Sequence, residues 1–112
     1  MENTVEEKLV AESVDRPVDP ITKDPALLKV SSTTAPRNLS VAIITTFKKH
    51  GYAIIRCIGP KATYTACKAI ALSRGHFAKA DMDIVPIISL YEAIIDLNDT
   101  RPGIQFRLES DR

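Results

Sequence analysis

Apolar and polar positions fall into regular patterns from Leu27 onward. Leu27-Leu28-Lys29-Val30-Ser31 alternates as a short strand does. Ser32 to Arg37 reads as a loop, with Pro36 disfavouring helix in the residue before it. Asn38 or Ser40 can cap a helix whose inner stripe is Leu39, Ala42, Ile43 and Phe47. Lys48-Lys49-His50 in its last turn and Gly51 just beyond suit the helix dipole and a left-handed cap. Tyr52–Ile58 is apolar on both faces except at Arg56, the pattern of a central strand. Gly59-Pro60 then turns the chain, with Pro60 at the first position of a second helix. Its body, Lys61–Arg74, is alanine-rich, with Ala66, Cys67, Ile70 and Arg74 or Ala71 as the buried stripe and Gly75 as the stop. Lys61 and Lys68 share the opposite face with Tyr64 or Thr65. A third strand takes up much of Asp83–Asp96, bent near Pro86. Asn98-Asp99 and Pro102-Gly103 mark a turn, after which Ile104, Phe106 and Leu108 alternate with Gln105, Arg107 and Glu109 in a final strand.

The order β-α-β-α-β-β predicts an α/β two-layer sandwich with a mixed four-stranded sheet. Right-handed crossovers place both helices on one face of it. In Ile84–Leu90 both alternation phases are apolar, so that strand needs cover on both sides. A two-layer monomer leaves the outer side open. The expectation is therefore a homodimer, with Ile84, Ile87, Ile88 and Leu90 at its interface.

Charge changes the picture. The 112 residues carry a formal net charge of only +1, but the charges are partitioned. Residues 1–26 hold seven acids and three bases, residues 27–79 hold nine bases and no acid, and residues 80–112 again hold seven acids and three bases. The middle block predicts a positive field over part of the folded surface, which attracts polyanions. Residues 1–26 contain Pro17, Pro20 and Pro25 and little sustained period, and read as an acidic tail before a domain spanning 27–112. Thr4 to Val14 can form at most a short, marginal helix. The tail either competes with an anionic partner for the basic surface or is a solubilising extension. Two cysteines are too few for a disulfide-stapled mini-domain. No apolar run approaches a membrane span, and the acidic start lacks the apolar core of a signal peptide. A cytoplasmic protein with no membrane association is expected.

The chemistry-bearing residues are few. Gly59-Pro60-Lys61 opens a helix, so the free amides and dipole there make a candidate phosphate seat from Gly59 and Lys61. Arg37 precedes the first helix and can join Lys61 on the same edge. Arg56 is either a surface residue on the open sheet face or a partner contact, and Lys68 either a plain solvated lysine or a phosphate contact. Together Arg37, Arg56, Lys61 and Lys68 form the candidate nucleic-acid set. Cys57 and Cys67 fit no zinc pattern and fall on apolar stripes, where cysteine behaves as a small hydrophobe. His50 and His76 read as helix-end residues. No nucleophile elbow, phosphate-binding glycine loop or carboxylate pair occurs, so no enzyme, cofactor or metal is expected. Tyr52, Tyr64 and Tyr91 are scattered, which argues against stacking of single strands on a basic strand face.

The runs Leu28-Lys29-Val30-Ser31-Ser32, Ile58-Gly59-Pro60-Lys61-Ala62 and Ala66-Cys67-Lys68-Ala69-Ile70-Ala71-Leu72-Ser73-Arg74-Gly75 resemble the stage V sporulation protein S family, in order and spacing over about Leu27–Glu109. That family is similar in fold to Alba, the small archaeal chromatin protein. The resemblance implies an Alba-like fold, a dimer, and a nucleic-acid-binding or regulatory role in sporulation or related bacterial development. Two features depart from Alba. The first loop, Thr34-Ala35-Pro36-Arg37-Asn38, keeps the proline but has one base where Alba proteins have adjacent lysines. The hairpin Asp96–Gly103 carries two acids and one base where theirs is basic. The expected function is thus non-enzymatic, sequence-nonspecific binding of the DNA or RNA backbone by a homodimer. The alternative is a protein-protein interaction module of a developmental pathway.

Overall fold

The computed structural model describes residues 20–112, so the tail before Pro20, including Thr4–Val14, lies outside the described residues. A 3-10 turn, Pro20–Lys23, precedes β1 (Leu27–Val30), α1 (Pro36–His50), β2 (Ala53–Cys57), α2 (Pro60–Ala78), β3 (Ile84–Asp96) and β4 (Asp99–Ser110). The protein is α/β, with the strands in one mixed sheet of order β1-β2-β4-β3. β1 and β2 run parallel, from Leu27↔Ile54 to Val30↔Cys57. β2 and β4 run antiparallel, from Ala53↔Leu108 to Cys57↔Ile104. The described residues divide into two compact units, Pro25–Tyr91 with Gly103–Arg112 as the larger, and a smaller one that takes in Glu92–Pro102.

The core of the larger unit lies between the helices and one face of the sheet. Leu39, Ile43 and Phe47 from α1 and Ala62, Ala66, Ala69, Ile70 and Phe77 from α2 meet Val30, Ala53, Ile55, Cys57, Ile84, Phe106 and Leu108. Alternation along β2 and β4 turns Ile54, Arg56, Gln105, Arg107 and Glu109 to the other face. The alanines keep α2 slim, and the Ser40 and Ser73 hydroxyls, 3.2 Å apart, link the two helices inside the core. Ser73 also donates to the Ala69 carbonyl, so its buried oxygen is satisfied locally. In the smaller unit, Leu97-Asn98 joins β3 to β4, with the Asn98 amide donating to Asp96 Oδ1.

Several boundaries differ from expectation. α1 begins at Pro36 rather than at Asn38 or Ser40, with Ala35 at the cap. Proline is suited to a first helical position, where no amide donor is needed and its φ is already helical. Gly51 does close α1, in the left-handed conformation. Gly75 does not stop α2, which runs to Ala78. An exposed helical glycine costs about 1 kcal/mol. Burying Phe77 further along α2, 5.3 Å from the Phe47 ring, offsets it. The buried stripe of α2 contains Thr65, Ser73 and Phe77, while Cys67, Ala71 and Arg74 are exposed. Pro102-Gly103 lies within β4 rather than in a turn. Pro86 lies inside β3, tolerated because β3 is an edge strand.

Candidate functional site

Because β1 and β2 are parallel neighbours, the chain leaves both at the same end of the sheet and enters a helix each time. The Ser31–Thr34 turn before α1 satisfies itself: the Ser31 amide donates to Thr34 Oγ1 and the Thr33 amide to Ser31 Oγ. Before α2, Gly59 takes φ 88° and ψ 161°, a conformation that side-chain-bearing residues rarely adopt. Thr63 Oγ1 donates to the Gly59 carbonyl at 2.7 Å and fixes that corner.

Both helices open alike. Each has proline in its first turn, no acidic residue there, and no side-chain cap. Their first amides therefore have no intrahelical acceptor, and Arg37 and Lys61 follow the two prolines directly. Both side chains are exposed. Both helices thus start from the sheet edge at which the parallel strands finish, each with one cation in its first turn, while the Ser40–Ser73 contact sets the start of α1 beside the second half of α2 rather than beside Lys61. Each helix start can attract an anion by its own amide donors, dipole and adjoining cation.

Lys68 is exposed on the outer side of α2, two turns beyond Lys61. Arg56 stands apart. It is on the sheet face away from the helices but only 7% exposed, so the surface reading of this residue is corrected. Its Nε donates to Gln105 Oε1 at 2.8 Å and its guanidinium lies 4.3 Å from the Tyr91 ring centroid. A guanidinium committed in this way is part of the fold rather than an open phosphate contact. Burial pushes the Tyr91 phenol above its ordinary pKa, with the Arg56 charge pulling the other way. A second stack on that face sets Arg107 4.7 Å from the Tyr52 ring while its Nε donates to Glu109. Neither stack is legible from the sequence; the lone arginine in an apolar strand, Arg56, signals only the first, and nothing signals the second.

Of the expected interface residues, Ile84 is 1% exposed and belongs to the chain's own core, a correction that follows from its facing the helices. Ile87, Ile88 and Leu90 are exposed, Leu90 to 75%. Cys57 is buried, and burial pushes its thiol up. Cys67 is exposed, against expectation, because the stripe of α2 is rotated toward Ala66 and Ala69. Among the described residues no group of three or more His, Cys, Asp or Glu could hold a metal ion, and no helix is long and apolar enough to cross a membrane.

The family model for stage V sporulation protein S matches residues 26–111. The match takes in all four strands, both helices and the loops that lead into those helices. The chain belongs to the stage V sporulation protein S family, and its role is accordingly sporulation-related.

Proposed function

We propose that the protein is a non-enzymatic, Alba-like cytoplasmic homodimer that binds the DNA or RNA backbone in a regulatory role in sporulation or related development. One observation carries this reading: two helices without side-chain caps open from the sheet edge where β1 and β2 finish, each with a cation in its first turn (Arg37, Lys61), inside a stretch, 27–79, that holds no acid. A phosphodiester backbone matches that edge in charge and in hydrogen-bond acceptors, and needs no base-specific contact. Arg56, engaged with Gln105 and Tyr91, is not carried into this site; Lys68 extends it along α2. The second copy is supported by the exposed Ile87, Ile88 and Leu90 on an edge strand.

Fluorescence anisotropy of the full chain with short double-stranded DNA and RNA, over a salt series, tests it. Binding is expected to weaken linearly in log–log salt. The Arg37→Ala/Lys61→Ala variant should bind more weakly and with a shallower slope, by about 0.9 on DNA for each phosphate it no longer neutralises. Absence of binding at low salt would refute the reading.

A different observation favours the protein-interaction alternative. The hairpin segment 92–102 is acidic, with Glu92, Asp96 and Asp99, and exposes Ile94, Ile95 and Leu97. A partner protein retained at high salt, with no nucleic acid copurifying, would select that alternative.

A further inference from the structure

We infer that the outer face of α2 binds single-stranded nucleic acid, with an unpaired base stacked on Tyr64 and the adjoining phosphates held by Lys61 and Lys68. The inference rests on the nucleic-acid reading above and names the form of nucleic acid the surface takes.

Tyr64 follows Lys61 by three residues and precedes Lys68 by four, so the helix places all three on one face. Along the axis the tyrosine is about 4.5 Å from one lysine and about 6 Å from the other. Tyr64 is 66% exposed, a large aromatic surface that the core does not use. Among the described residues its hydroxyl has no hydrogen-bond partner and its ring no aromatic or cationic partner. The contrast with the other two tyrosines is sharp. Tyr52 and Tyr91 lie against Arg107 and Arg56 on the sheet, so their rings are already occupied. Scattered along the sequence, the three tyrosines suggest no stacking surface; folding leaves Tyr64 presented between two cations.

The surroundings of Tyr64 suit a flat polyanion. The next turns of the same face continue with Ala71, Leu72 and Gly75, all exposed, of which Ala71 and Gly75 are small. Neither helix contributes a carboxylate, and Asp83, bound to Arg74 farther along α2, has its charge matched in that ion pair. In a duplex both faces of each base are already stacked, so the Tyr64 ring adds nothing to duplex binding. An unpaired base offers a free face, and stacking on an aromatic is tolerant of sequence. Lipid surfaces fit less well, because the cations flank the aromatic on the same face instead of lying opposite an apolar one.

The sequence contains no tryptophan, so Tyr64→Trp places a single indole reporter at the site. The full-length variant is titrated with an oligothymidylate of about 12 nucleotides, an abasic strand of the same length, and a duplex. Quenching by the oligothymidylate, and by neither of the others, is expected. In the otherwise native chain, Tyr64→Ala should weaken single-strand binding on the order of tenfold, leave duplex binding unchanged, and be rescued by Tyr64→Phe. Matching circular-dichroism melts establish that the variants are folded. Strand binding without quenching, or equal effects of Tyr64→Ala on both forms, overturns the stacking proposal and leaves backbone binding standing. Failure of every strand to bind overturns both. Tyr64-dependent binding to phosphatidylglycerol vesicles without nucleic-acid binding overturns both and assigns the face to lipid.

Discussion

Asp83 grips Arg74 at two points, Oδ1 to Nε and Oδ2 to Nη2, each at 2.8 Å, and Oδ1 also accepts the Ile84 amide. The hydrogen bonds from Arg74 hold the Asp83 carboxyl below its ordinary pKa. A lowered folded-state value means the ion pair contributes stability above the ordinary carboxylate range, and that this contribution disappears as pH falls through the lowered value. Asp83→Asn should therefore melt below the native chain at neutral pH, with the gap closing below about pH 4. Thermal melts followed by circular dichroism across pH check this; a gap independent of pH would contradict it. Individual residues are legible in the sequence only where their partners are local. Arg37 and Lys61 can be placed because each sits beside a proline that opens a helix. Arg56 stands out as the polar residue in an apolar strand, but Tyr91 and Gln105, which cover it, are 35 and 49 positions away, and no local pattern reports that distance.

Elements are legible where their periodicity is unbroken, and less so where packing overrides a local signal. The four strands, two helices and their order follow from alternation and from the Lys48–Gly51 and Gly59–Lys61 boundaries. The end of α2 does not, because Gly75 is a stop signal until Phe77 is buried against Phe47. The same holds for Pro102-Gly103, a turn dipeptide by composition that lies within β4. The structure gives a reason for glycine there: a Cβ on Gly103 would overlap the Tyr91 ring that shields Arg56. Gly103→Ala should thus cost about 1–3 kcal/mol by overpacking, a drop of several degrees in Tm. Replacing Tyr91 by a smaller residue as well should return part of that loss, and equal melting of native and Gly103→Ala chains would rule the clash out.

For the whole molecule, the charge partition follows the topology. β1, α1, β2 and α2 all lie within the stretch, 27–79, that has nine bases and no acid, and most of the acids after residue 79 lie from the start of β3 onward. The exposed edge strand carries Ile87, Ile88 and Leu90, so the proposed dimer should be sensitive to charge placed there. Leu90→Glu is expected to halve the mass measured by light scattering on a size-exclusion column without unfolding the chain. A native chain that is already monomeric would remove that interface. The sheet order also constrains how the protein is made. β2 is buried throughout, yet its second neighbour is β4, the last of the four strands in chain order. During synthesis at about 5–20 residues per second, everything through α2 emerges while one side of β2 still lacks its ladder. The central sheet closes only once Phe106 and Leu108 have left the ribosome, and until then that open strand edge is the point at which nascent chains can pair with one another.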